Sequence, residues 1–280
     1  MKMKKILASF MAASAALLLA ACSTNDSKSA VNGDKWDTYV SEKSITIGFD
    51  NTFVPMGFEN DKGENTGFDI DLANAVFAKY DIDVKWQPIS WELKESELDS
   101  GNIDLIWNGY TMTEDRAKKV LFTDPYMLNE QVLVTKSDSG ISSVSDMEGK
   151  ILGAQAGSSG YDAFLDRPEI LKDIVKDNDA TLYDTFTQGF LDLENGRIDA
   201  LLVDKVYANY FLTQKGELEK HHLISAGLES GDFGVGARKA DKTLVEKINA
   251  AFTELYKEGK YQEISEKWFG EDTATDAVKE

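Results

Sequence analysis

One nine-residue pattern occurs twice, and it constrains the fold more than any other feature of this chain. Leu98-Asp99-Ser100-Gly101-Asn102-Ile103-Asp104-Leu105-Ile106 is matched 95 positions later by Leu193-Glu194-Asn195-Gly196-Arg197-Ile198-Asp199-Ala200-Leu201. Each copy reads as the end of a helix, a glycine at the left-handed position after it, and entry into a buried strand. Helix-glycine-strand units are common in α/β proteins. Agreement at Leu, Gly, Ile, Asp and the closing aliphatic position nevertheless points to two lobes built alike.

The rest of the chain supports an α/β class, because short apolar runs alternate with helical patterns from Ser44 onward. Strands are expected at 45–49, 84–89, 103–107, 130–135, 149–154, 181–183, 200–203 and 232–237. Helices are expected at 69–79, 159–165, 187–193, 205–214, 243–257 and 261–268. In the first of these, Ile70, Ala73, Val76 and Phe77 recur at helical spacing. The 280 residues suit about two domains of roughly 150 residues each.

Charge and side-chain inventory exclude several functions. Lys and Arg number 30 against 49 Asp and Glu, a formal net charge of −19. A nucleic-acid partner is disfavoured, because phosphate binding relies on clustered basic side chains. Cys22 is the only cysteine, so neither an intrachain disulfide nor a Cys-rich zinc site can form. The only histidines, His221 and His222, are adjacent. They make a poor metal pair and a poor start for a nucleophilic triad. No metal and no cofactor is implied.

The N-terminus reads as an address. Lys2, Lys4 and Lys5 precede an apolar stretch over 6–21 that is shorter than the ~20 residues a membrane-spanning helix needs. It closes Leu19-Ala20-Ala21-Cys22 and turns polar at Ser23-Thr24-Asn25-Asp26. This resembles a bacterial lipoprotein signal, which implies cleavage after residue 21 and lipid on Cys22, with two or more acyl chains for stable anchoring. An ordinary signal peptide ending at Ala21 is the plainer alternative. Residues 22–43, rich in Ser, Asn, Asp and Lys, read as a flexible tether.

Ligands of open α/β sheets bind just beyond the carboxyl ends of strands. The residues in such positions are Asp50 and Phe53, then Trp91, then Asn108, Gly109, Thr111 and Arg116, then Gln155, Ser158 and Ser159, then Asp204. The set suits a small zwitterion. Arg116 offers a bidentate clamp for an α-carboxylate, Asp204 a partner for an α-ammonium, and Phe53 and Trp91 walls for a side chain. Gly109, Ser158 and Ser159 offer backbone N–H groups to an anion. Taken singly, each has a structural explanation. Arg116 fits one charge on a solvated helix, Thr111 or Thr113 a helix cap, Asp204 the cap of the 205–214 helix, and Trp91 a core residue.

Assembled in order, the stretches 47–58, 67–73, 109–116, 122–126, 149–158 and 196–200 resemble the extracellular solute-binding proteins of polar amino-acid ABC transporters, family 3. The likeness is greatest to streptococcal-type lipoproteins. The resemblance spans about 44–270. It implies two Rossmann-like lobes joined by a two-strand hinge, the type II periplasmic-binding-protein architecture, with no catalytic residue. Lobe one would be 44–135 plus 228–270, lobe two 136–227, and 271–280 a C-terminal tail. By position it implies that Arg116 holds the α-carboxylate, helped by Thr111 and the N–H groups of Gly109 and Ser158 or Ser159. Asp204 then takes the α-ammonium with the Gly109 carbonyl, Phe53 and Trp91 wall the ligand, Asp50 reaches its side chain, and Asn108 shapes the pocket. The implied ligand is a free amino acid, with arginine favoured and Glu59 compatible with a cation. Lysine, histidine, glutamine and cystine remain open. The implied partners are a permease and its ATPase at the outer face of the cytoplasmic membrane, for a monomeric binding protein. A dehydratase or an adhesin on the same shell are the rival readings; for the first, Glu59 is the only loose acid besides Asp50.

Overall fold

The computed structural model describes residues 33–228 and 231–280. The expected signal at 1–21, Cys22 and the first part of the expected tether lie outside the described residues. Two five-stranded mixed sheets organise the chain. In the first, Ser44–Phe49 is central to a parallel trio with Asp83–Pro88 and Leu105–Ile106. Gly236–Ala237 then enters antiparallel between Leu105–Ile106 and Leu121–Phe122. In the second, Leu152–Gln155 lies between Ala180–Tyr183 and Ala200–Asp204, all parallel. Gln131–Lys136 then enters antiparallel, with His221–Ser225 at the edge. The two sheets therefore repeat one strand order, and the nine-residue repeat falls at the same place in each.

The structure supplies the physical reason for that repeat. Gly101 and Gly196 both take left-handed backbone, φ +74° and +67°, which ends the helices Lys94–Asp99 and Phe186–Glu194. Ile103 packs on Gly48 of the neighbouring strand, where an added Cβ would lie 2.4 Å from its Cδ1. Ile198 packs on Gly153 in the same way, at 2.6 Å. The repeat aspartates bind the backbone of that same neighbour: Asp104 accepts from Thr46 N–H at 3.1 Å and Asp199 from Ile151 N–H at 2.7 Å. Each lobe thus presses its third strand against a glycine of its first and fastens the register with a carboxylate.

Two described segments cross between the sheets, one near 123–130 and one that includes 231–235. They run antiparallel where Phe233 bridges Met127. Phe233 N–H donates to Met127 C=O at 2.8 Å and Tyr126 N–H to Phe233 C=O at 2.9 Å.

Three expected boundaries need correction. Residues 131–135 belong to the second sheet rather than to lobe one, because Gln131–Lys136 pairs only with lobe-two strands. The expected tether of 22–43 ends early, since Trp36–Glu42 is a helix. Its Tyr39 is buried and hydrogen-bonded to Asp104 and Arg238. The 271–280 segment is not a tail. Asp276–Lys279 is helical, Val278 is fully buried, and Thr275 Oγ1 donates to Pro125 C=O in the first crossing. One buried tyrosine and one buried valine within polar stretches leave no periodicity for a sequence to display.

Candidate functional site

The cleft between the sheets is built from strand ends. Asp50 directly follows Ser44–Phe49, and Asn108, Gly109 and Thr111 follow Leu105–Ile106. Arg116 lies in the first turn of Glu114–Lys119, a helix capped by Thr113, whose side chain accepts from Arg116 N–H. From the other sheet, Gln155 ends its strand, Ser158 caps the helix Ser159–Asp166, and Asp204 ends Ala200–Asp204. All eleven strand-end candidates, Gln155 among them, line one cavity between the sheets.

Arg116 is a buried cation rather than a charge on a solvated helix, with only 3% of its surface exposed. The Tyr110 ring lies 4.9 Å from its guanidinium carbon. Nη1 donates to Thr111 C=O and Nη2 to Gly157 C=O, both at 3.0 Å. Nε is buried with no hydrogen-bond partner among the described residues. A buried unpaired donor costs about 1–3 kcal/mol, so this group is set for an acceptor.

Asp204 stands at the N-cap of Lys205–Lys215, yet its side chain makes no capping bond. It turns into the cleft, where Oδ1 accepts from Asn129 at 2.5 Å and from Gln131 at 2.7 Å. Burial pushes its pKa up to about 6, against the pull of those two amides and of the Arg116 charge. Asp50 accepts from Thr52 N–H, Thr52 Oγ1 and Gln155 Nε2 at 2.9, 2.7 and 2.8 Å. Burial raises its pKa as well, opposed by those bonds. Phe53 reaches the lobe-two rings of Tyr207 and Phe186, with centroids 5.5 and 5.9 Å away. Trp91 is edge-on to Tyr110 at 5.9 Å.

Some expected donors are spent elsewhere. Gly109 N–H donates to the buried Asp69 at 2.7 Å, so it is not offered to an anion. Burial lifts the Asp69 pKa to about 7. Ser158 N–H closes a turn on Gln155 C=O, and its hydroxyl accepts from Tyr161 N–H. Of that pair, Ser159 therefore presents the first-turn N–H of the helix, and its hydroxyl donates to Thr111 Oγ1 at 2.9 Å. The Asn108 amide brackets backbone, accepting from Asp50 N–H and donating to Gly57 C=O. Glu59 is exposed and not part of the cavity wall.

Residues without an expected role complete the site. Gln131 and Asn129 hold Asp204; a glutamine opening an otherwise apolar strand, in register with Asp204, was the available signal. Lys94, almost fully buried, donates from lobe one to Gly157 C=O of lobe two at 2.9 Å. Burial and the nearby Arg116 charge lower its pKa to about 8. Among the described residues no cluster of three potential metal ligands occurs, and no helix is long and apolar enough to cross a membrane.

Comparison with known proteins fits this geometry. The pattern of bacterial extracellular solute-binding proteins, family 3, matches residues 45–271. The L-cystine-binding protein TcyJ of Escherichia coli K12 is 31% identical over 231 residues, covering 82% of this chain and 84% of that protein. The arginine-binding extracellular protein ArtP of Bacillus subtilis 168 is 29% identical over 269 residues, covering 95% and 98%. A crystal structure of an ABC uptake transporter substrate-binding protein from Streptococcus pneumoniae with bound histidine is 61% identical. It superposes with a TM-score of 0.86 and covers 87% of this chain and 99% of that one.

Proposed function

The chain belongs to the bacterial extracellular solute-binding proteins of family 3, and from this premise we propose that it captures one free basic amino acid between its lobes and hands it to a membrane importer. The observation that carries this reading is that Arg116 of one lobe and Asp204 of the other line a single cavity. A guanidinium and a carboxylate on opposite walls match the α-carboxylate and α-ammonium of one amino acid. Thr111 and Ser159 assist at the carboxylate.

The charge balance of the wall chooses the side chain. The lining residues with ionisable groups are Asp50, Arg116 and Asp204. A zwitterion satisfies the last two and leaves one carboxylate. A cationic side chain completes the balance, and the flat guanidinium of arginine suits a carboxylate beside aromatic rings. Histidine is the second reading, favoured by the histidine bound in the pneumococcal relative at 61% identity.

Contacts made only when the lobes meet bias the molecule toward closure, since a ligand shifts an equilibrium by its differential affinity for the two states. Calorimetric titration with arginine, histidine, lysine, glutamine and cystine tests the ligand class. Arginine or histidine should bind tightest, and Asp50→Asn should weaken that ligand at least tenfold while changing glutamine binding less. Tightest binding of glutamine or cystine, indifferent to Asp50→Asn, would overturn the cationic reading.

Residues 1–21 direct export, and Cys22 carries the lipid that holds the protein at the outer face of the cytoplasmic membrane, beside its permease. Two acyl chains suffice for stable anchoring where one does not. Cys22→Ala should move the protein from the membrane fraction to the medium. Unchanged partitioning would show that lipid is not the anchor.

A further inference from the structure

The guanidinium at the centre of the site already meets a carboxylate, and that carboxylate belongs to the protein. Asp162 sits in the first turn of Ser159–Asp166 on lobe two. Its Oδ2 lies 3.2 Å from Arg116 Nη2, across the cleft. The same Nη2 donates to Gly157 C=O. Both of its hydrogens are thus committed to lobe-two oxygens, while Nε on the same edge has no partner among the described residues. That Nε–Nη2 edge is one on which a guanidinium grips a carboxylate bidentately. An amino acid can take it only by drawing lobe-two oxygens away from Nη2.

The two partners differ in how easily they can part. The Arg116 side chain is 4% exposed and the Asp162 side chain 47%. Asp162 can rotate into water with little change in its solvation, whereas Arg116 has nowhere else to go. Asp162 is also absent from the cavity wall, so its departure leaves the remaining contacts intact. The replaceable partner is therefore the acid.

We infer that Asp162 is a resident stand-in for the ligand's α-carboxylate. It engages Arg116 across the cleft when no amino acid is held, favours contact between the lobes, and gives way when a ligand carboxylate arrives. This inference rests on the reading of the cleft as an amino-acid site. It deepens that reading by assigning the protein a competitor for its own ligand.

The test is Asp162→Asn, which keeps the shape and removes the charge. In calorimetry the variant should bind arginine or histidine about twofold to fivefold more tightly, the range expected for a partly exposed ion pair. The gap between variant and wild type should narrow as salt is raised, because screening weakens the resident pair. Asp162→Glu should return affinity to the wild-type value. Small-angle scattering without added amino acid should give a larger radius of gyration for Asp162→Asn than for wild type. Equal or weaker ligand binding by Asp162→Asn would overturn the inference and make Asp162 a support that positions Arg116. Absence of any amino-acid binding by the wild type would overturn the amino-acid reading itself, and this inference with it.

Discussion

Arg116→Ala should remove amino-acid binding while the protein still folds. The side chain is buried and supplies three donor nitrogens at the cleft, two already bonded to backbone carbonyls and one without a partner among the described residues. Truncating one partner of a buried, hydrogen-bonded charge pair costs about 2–5 kcal/mol, or ~30- to ~4,000-fold in affinity. The fold should survive because Arg116 lies at the rim of the first sheet rather than in its core. Loss of its bonds leaves the Thr111 and Gly157 carbonyls beside an accessible cleft. Thermal melting checks the fold and titration the affinity. Binding within tenfold of wild type would mean that another group holds the carboxylate.

Asp204→Asn is expected to have the second large effect, with a pH signature that separates it from the first. A carboxylate whose pKa is near 6 must lose its proton before it can hold an ammonium. With arginine as ligand, whose side chain does not titrate in this range, wild-type affinity should fall about tenfold from pH 7 to pH 5, as the ionised fraction falls to about a tenth. Asp204→Asn should bind ~30- to ~4,000-fold more weakly at pH 7 and lose that pH dependence. Stability should respond in the opposite sense. The folded pKa lies above the ordinary 3.8, so the folded protein keeps the proton longer than the unfolded chain does. This group therefore favours folding increasingly as pH falls from about 6 towards 4. Removing the buried charge should leave the melting temperature unchanged or raised. Retention of the pH dependence in Asp204→Asn would assign it to another group.

The legible part of the site was the part governed by local chain order. Residues directly after strands enter a cleft in any open α/β sheet, so Asp50, Arg116, Ser159 and Asp204 could be collected by position. The competing explanation for Asp204, a helix cap, differs only in which way the side chain rotates, and the sequence carries no sign of that. Lys94 carries no sign of its role in the sequence, because its acceptor, Gly157, lies 63 residues away on the other lobe. Gln131 and Asn129 are hidden for a related reason: Gln131 opens a strand that pairs in the second sheet and not in lobe one, and Asn129 lies in the crossing before it, which has no composition of its own. Gly109 shows the reverse error. Its left-handed backbone suited a close approach to an anion, but its N–H serves Asp69, a carboxylate 40 positions earlier. The nine-residue repeat was legible because packing Ile103 on Gly48, and Ile198 on Gly153, demands the same residues twice.

The helix Trp36–Glu42 decides which half of the molecule the N-terminal segment joins. Lys35 N–H donates to Asp241, Thr243 N–H to Asp34, and Tyr39 is held by Asp104 and Arg238. Every one of these partners lies in or directly beside the strands and helix of lobe one. Any pull on the N-terminus is therefore borne by one half alone. Were the proposed lipid on Cys22 to hold the chain, the other half would be left to swing about the two crossings without dragging its mooring, and a leashed molecule would open and shut as freely as one adrift.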